Sequence, residues 1–128
     1  MLRPLAWVRS SRKDYAEFPA RVQDDIGYRL YRVQAGDSVF PPSRPLNQGV
    51  LKGMGIHELG EDYDGDTYRA VYTVRLDGVV YVLHAFKKKS TSGIATPQHH
   101  IDLIRSRYHD AVQVHARLLG MDAAATRN

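Results

Sequence analysis

Two stretches decide how this chain folds: Thr67-Tyr68-Arg69-Ala70-Val71-Tyr72-Thr73-Val74-Arg75 and, after Leu76-Asp77-Gly78, Val79-Val80-Tyr81-Val82-Leu83-His84-Ala85-Phe86-Lys87-Lys88. β-Branched and aromatic side chains dominate both, and such residues fit the pleated surface of a sheet. Asp77-Gly78 between them tolerates the positive φ of a tight turn, as does Asp64-Gly65 one strand earlier. The spacing predicts a three-stranded antiparallel meander over residues 56–61, 67–75 and 79–88. If Asp77-Gly78 is a two-residue turn, Leu76 faces Val79, and Val71 lies opposite His84, Arg69 opposite Phe86 and Tyr68 opposite Lys87. Side chains alternate along a strand, so Arg69, His84, Phe86 and Lys88 are expected on one face and Tyr68 and Lys87 on the other.

Outward from the meander the period changes. Pro19 suits the first turn of a helix, Val22, Ile26, Leu30 and Val33 recur at helical spacing, and Gly36 supplies a stop. Arg21, Asp24, Asp25, Arg29 and Arg32 lie off that stripe, and residues 14–18 suit a short preceding helix, which makes a helical hairpin. After the meander, Thr96 is placed as N-cap before Pro97, with Ile101, Ile104, Tyr108, Ala111 and Leu118 as the buried stripe of a helix stopping near Gly120. With a short apolar strand at Trp7-Val8 the order reads β-α-α-β-β-β-α, an α+β fold. One domain is expected over residues 1–120. The tail 121–128 and the Pro-rich segment 40–45 are expected to be the least ordered parts, and residues 90–95 form a loop.

The composition narrows the function. At 128 residues the chain suits a single core, and 43 % apolar with 25 % charged residues is ordinary for a globular fold. The longest apolar run, residues 79–86, is too short to span a bilayer. Met1-Leu2-Arg3-Pro4-Leu5 lacks the apolar core of a secretory signal, and the absence of cysteine excludes disulfides and zinc–thiolate sites. A cytoplasmic protein with no membrane partner is the expectation. Eighteen Lys and Arg against fourteen Asp and Glu give a net charge of +4, which favours phosphate-rich partners such as RNA.

The charges concentrate at one place. Lys87-Lys88-Lys89 ends the last strand beside Arg69 on its neighbour. Cleaving RNA without a metal requires groups that hold the scissile phosphate, stabilise the charge built up by attack of the 2′-hydroxyl, and move protons. Arg69 can grip a phosphate bidentately and a lysine adds a compact charge, with His57, His84 or Tyr72 as groups to move protons or stack on a base. Each also has a structural reading. A lysine run at a strand end discourages edge-to-edge aggregation, Glu58 or Glu61 could satisfy Arg69, and His84 reads as a hydrogen-bonded core histidine. His99, His100 and His109 lack zinc-site spacing and no Gly-rich loop opens a helix after a strand, so neither metal nor nucleotide cofactor is expected. Ser90 and Ser92 lie in no recognisable nucleophile turn.

The run Tyr68-Arg69-Ala70-Val71-Tyr72, then Leu83-His84-Ala85-Phe86-Lys87-Lys88-Lys89, then Thr96-Pro97 opening a helix, resembles the RelE/HigB toxin family in its phage-derived branch. Ser10-Ser11-Arg12-Lys13-Asp14, Phe18-Pro19 and Ile26-Gly27-Tyr28 resemble the lead-in to that family's paired helices, so the likeness spans roughly residues 7–118. It implies a RelE-like fold with an N-terminal helical pair, a curved antiparallel sheet of three to four strands and a C-terminal helix. It implies the toxin of a type II toxin–antitoxin pair: a metal-independent mRNA endonuclease that acts on ribosome-bound mRNA and inhibits translation.

By that resemblance the strand arginine falls on Arg69 and the basic pair on Lys87 and Lys88, with His57 or Tyr72 assisting. Lys52 in Leu51-Lys52-Gly53, Lys89 and Phe86 are the implied RNA contacts. The implied partners are a cognate helix-turn-helix antitoxin, mRNA and the ribosome, with operator DNA met only through the antitoxin complex. Two alternatives share the fold: a ParE-like inhibitor that binds DNA gyrase without chemistry, and a non-toxic relative that binds only its antitoxin.

Overall fold

The computed structural model describes residues 2–37, 43–89 and 95–126, with side chains as far as residue 120 apart from that of Lys89. The elements are β1 (Leu5–Trp7), α1 (Ser11–Ala16), α2 (Ala20–Gln34), β2 (Arg44–Pro45), a 3-10 turn (Gly49–Leu51), β3 (Ile56–Tyr63), β4 (Asp66–Thr73), β5 (Val80–Lys89) and α3 (Gln98–Thr126). Five strands form one sheet in the order β1-β5-β4-β3-β2. The α+β class and the meander agree with the sequence reading, with two additions. β1 pairs parallel to β5, which makes the sheet mixed, and Arg44–Pro45 of the Pro-rich segment pairs antiparallel with β3. The rest of that segment, residues 40–42, and most of the loop, residues 90–94, lie outside the described residues.

Helices cover the sheet on both faces. Val22, Ile26, Leu30 and Val33 of α2, the stripe read from the sequence, are buried with Phe18 against Leu59, Tyr68, Ala70, Tyr72, Val80, Val82 and Ala85. On the other face Ile101, Ile104 and Ala111 of α3, with Leu46 and Leu51, pack on Ile56, Val71, Tyr81, Leu83 and Phe86. β5 is therefore covered twice and its residues from Val80 to Phe86 are all buried, which is why this strand reads as a continuous apolar run and not as an alternation.

The expected register holds where it matters, by a route the sequence did not announce. Val71 faces His84, Arg69 faces Phe86 and Tyr68 faces Lys87, yet Tyr72 faces Val82 and Thr73 faces Tyr81. Leu83 is the extra residue of a β-bulge, so Leu83 and His84 both turn toward α3. The bulge compensates for a turn that differs from the expected two-residue hairpin. β4 already ends at Thr73, β5 begins at Val80, and within the connection Val79 N–H donates to Leu76 C=O at 3.3 Å with Gly78 at φ 83°. Asp64-Gly65 does form the expected two-residue hairpin, with Tyr63 opposite Asp66 and both turn residues at positive φ, 52° and 83°.

α3 corrects the sequence reading at both ends. Pro97, not Thr96, is the last residue before the helix, and its carbonyl accepts from His100 and Ile101. Thr96 is buried instead, its N–H and C=O clasped by the Gln48 side chain at 3.0 and 2.7 Å. At the other end the helix runs through Gly120 to Thr126. Its 29 residues make it about 43 Å long, more than the roughly 33 Å of ten-residue β5. The last turns overhang the sheet, leaving Leu118 47 % exposed where the stripe placed it in the core. None of the described helices is long and apolar enough to cross a membrane.

This packing sets a contrast for stability. Ile26→Ala, which removes a fully buried side chain, is expected to cost about 2–5 kcal/mol. Leu118→Ala is expected to stay within about 0.5 kcal/mol. Urea unfolding of the two variants beside wild type reads both; equal losses would show that α3 packs along its whole length.

Candidate functional site

Four neighbouring strands each contribute one charged residue to the α3 face of the sheet. Arg44 of β2 lies directly opposite Glu58 of β3. Glu58 faces Val71, which sets it diagonal to Arg69 on β4, and Arg69 faces Phe86, which sets it diagonal to Lys88 on β5. Long side chains reach across such diagonals. Glu58 Oε1 accepts from Arg44 Nε at 2.7 Å and also from Arg69 Nη1. Glu58, Arg69 and Lys88 are only 3 %, 8 % and 5 % exposed, whereas the Arg44 side chain is more than half exposed.

The line is unbalanced in charge and in hydrogen bonds. Three cations face one carboxylate, and Glu58 Oε2, Arg69 Nε and Lys88 Nζ are buried with no hydrogen-bond partner among the described residues. Burial first, then repulsion by Arg69, pushes the Lys88 amine below its ordinary pKa; Arg44 adds to this and Glu58 opposes it. A buried ion pair adds little net stability because desolvation offsets the attraction. A cavity of about 610 Å³ opens beside the cluster where β2 ends, lined by Arg44, Arg69 and Arg29 of α2, by the carboxylates Glu61 and Asp62, and by Ser43, Gly60 and Thr67; Glu58 and Lys88 do not line it. Arg29 donates to Gly60 C=O at 2.6 Å and pairs with Glu61, so it is held rigidly against the sheet.

The remaining sequence candidates are dispersed. His57 and Tyr72 face each other with rings stacked at 5.7 Å, but they lie on the α1/α2 face, across the sheet from Arg69 and Lys88. Tyr72 Oη is 2.7 Å from Ser43 Oγ; burial raises its pKa despite that bond, and burial lowers that of His57. Lys87 also points to the α1/α2 face and pairs with Asp66 at 3.5 Å. The five residues expected to act together thus divide between two faces, because β3 and β4 put odd and even positions on opposite sides. Phe86 shares the face of Arg69 and Lys88 but is buried beneath His84 and His100. Lys52 is exposed after the 3-10 turn and makes neither ion pair nor side-chain hydrogen bond with the cluster. The Lys89 side chain lies outside the described residues.

Sequence reasoning weighed Glu58 only as a counter-ion and did not reach Arg44. Glu58 was findable: it alternates with Ile56 in a strand whose partner carries Arg69, so it had to share the buried face. Arg44 gave no signal, since its segment has no strand periodicity.

His84 does have the structural partners expected of a core histidine. Arg107 Nη1 lies 3.2 Å from His84 Nδ1 and His84 Nε2 lies 2.8 Å from His100 Nδ1. Because guanidinium only donates, His84 Nδ1 accepts, and its proton sits on Nε2, donating to His100. Burial, then the charges of His100, Arg107 and His99, pushes His84 down to about 3; burial and His99 push His100 down to about 4. Both are neutral in the fold, whereas in the unfolded chain they take up protons near their ordinary 6.5. Their contribution to stability is complete above that pH and is lost as pH falls toward 4 and then 3. The urea midpoint is expected to drop between pH 6.5 and 4, and a protein carrying both His84→Gln and His100→Gln to show a shallower drop; an unchanged slope would assign the acid sensitivity to other groups.

A five-stranded mixed sheet between a helical pair and a long C-terminal helix, with cations in line across one face, defines a RelE-like α+β protein. A double arginine-to-alanine mutant of the E. coli toxin RelE in the free state superimposes with a TM-score of 0.53 at 18 % identity, covering 72 % of this chain and 88 % of that one. The isolated E. coli RelE toxin gives 0.50 at 16 % identity, covering 80 % and 97 %. The toxin–antitoxin complex RelBE2 of Mycobacterium tuberculosis gives 0.46 at 15 %, covering 66 % and 96 %. No curated protein sequence matches the chain. The chain belongs to the family described as phage derived protein Gp49-like (DUF891), whose model matches residues 13–109. The resemblance read from the two strands is borne out by that match.

Proposed function

We propose that this chain is the toxin of a type II toxin–antitoxin pair and that it cleaves mRNA, on the ribosome, without a metal. One observation carries the reading: Arg44, Arg69 and Lys88 are gathered on one sheet face around a single carboxylate, with Arg69 Nε and Lys88 Nζ unpartnered and a cavity alongside. Cations preorganised in a dry site stabilise the charge of a phosphorane-like transition state far better than the same groups in water. The family and the RelE-like fold support the same reading. Arg69 grips the phosphate and Lys88 supplies the second charge. His57, Tyr72 and Lys87, across the sheet, stand outside this site. The partners are a cognate antitoxin, in the cytoplasm, and ribosome-bound mRNA.

Induced expression of wild type and of a variant with Arg69→Ala and Lys88→Ala tests the reading. Wild type is expected to arrest growth and cut mRNA, and purified wild type to cut with chelator present; Arg69→Ala alone is expected to lower the rate about 10²–10³-fold. Growth arrest with mRNA intact would point to a gyrase-type binding inhibitor, and cleavage only with added magnesium would overturn the metal-free mechanism.

A further inference from the structure

β1 leaves the outer edge of the sheet unpaired. It binds β5 through its even positions: Val80 N–H donates to Pro4 C=O at 2.9 Å, Val8 N–H donates to Val82 C=O at 3.0 Å, and Ala6 lies between them in a parallel register. A parallel ladder uses alternate residues, so the N–H and C=O groups of Leu5 and Trp7 point away from β5. They meet no partner among the described residues, and neither residue is fully buried. An unpaired edge of this kind is a template for another strand. The template is short. Arg3 N–H is taken by Gln34 C=O before the strand begins, and after it the chain turns away at Arg9 with φ 53°.

Beside that edge, between β1 and α3, runs a groove of about 270 Å³ whose walls include Ala6, Val8, Tyr81, Asp110, Val114 and Arg117. α3 runs antiparallel to β1 here: Asp110 pairs with Arg9 at 3.1 Å, while His115, further along the helix, meets Tyr81, the β5 neighbour of Ala6. Asp110 therefore lies toward the end of β1, and Arg117, about two helical turns on, lies toward its start. Arg117 makes no ion pair among the described residues, and Val114 between the two is 44 % exposed.

We propose that this edge is an interface between two copies of the chain, joined antiparallel about a two-fold axis at Ala6 into one continuous sheet. Such an axis is self-complementary: it sets Leu5 opposite Trp7 of the second copy, so that the N–H of each donates to the C=O of the other. The same rotation reverses α3, which carries Arg117 toward Asp110 of the second copy and Val114 toward its own equivalent. Opposite charges thus meet at both ends of the groove, and they fix the register of the pairing. A strand of three residues buries little by itself, so the contacts from α3 are what make the association specific. β2 lies at the far edge of the sheet. The cavity beside Arg44 and Arg69 therefore stays open in each copy, and one particle presents two such faces.

Sedimentation of the full chain from about 1 μM to about 100 μM is expected to show reversible dimer formation. Arg117→Glu and Asp110→Lys each set like charges together twice across the axis, and each alone is expected to weaken the dimer about tenfold; mixing the two variants restores opposite charges at both contacts and is expected to recover the wild-type affinity to within about threefold. Wild type that stays monomeric throughout, or mixed variants that associate no better than either alone, would overturn the proposal.

A second measurement needs only wild type. Amide exchange at Leu5 and Trp7 is expected to slow about tenfold between dilute and concentrated protein, while Val8, whose N–H is bonded to Val82 in both states, is unchanged. A dimer with unchanged exchange at Leu5 and Trp7 would place the contact on another face and overturn the assignment equally.

Discussion

Strand β5 is enclosed on every side, by β1 and β4 along its edges and by α1/α2 and α3 on its faces, and the rest of the molecule is arranged to suit it. Between Val80 and Phe86 the strand carries polar side chains only where partners come with them. His84 is the one ionisable group from Val80 to Phe86 other than the Tyr81 phenol, and each is met from α3: His84 by His100 and Arg107, Tyr81 Oη by His115 Nδ1 at 2.9 Å. The bulge at Leu83 is part of the same arrangement. It turns two consecutive side chains toward α3, one for the apolar core and one for the polar contact, and brings Phe86 and Lys88 onto the face that Arg69 occupies.

That face carries the cost of the fold. Lining up Arg44, Glu58, Arg69 and Lys88 across four strands removes three of them almost wholly from water. One carboxylate shared by two guanidiniums offsets only part of the desolvation. An apolar replacement would be expected to give a more stable sheet. What the charged line supplies is fixed position: Glu58, Arg69 and Lys88 stand on interior strands held by the ladder, and Arg44 reaches them from edge strand β2. RelE-like proteins with identities below one in five share the scaffold, so the scaffold alone does not specify which side chains line it.

What was legible in the sequence was what depends on neighbours along the chain. The 3.6-residue recurrence of Val22, Ile26, Leu30 and Val33, the β-branched runs and the Asp64-Gly65 turn specify local conformation through sterics and solvent exposure, so α2, β3, β4 and β5 fell where expected. The common face of Arg69, His84, Phe86 and Lys88 followed from alternation, and Glu58 was within reach of the same rule. Tertiary structure alone decided the parallel docking of β1, the bulge that offsets a longer turn, the overhang that exposes Leu118 and the separation of His57 and Tyr72 from Arg69. It also decided the meeting of Arg44 with Glu58 and of Arg107 with His84, across separations of 14 and 23 residues. The physical reason is that periodicity encodes which side of an element is apolar, while which partner covers that side, and which buried charge is left without one, depends on segments that meet only when the chain has closed.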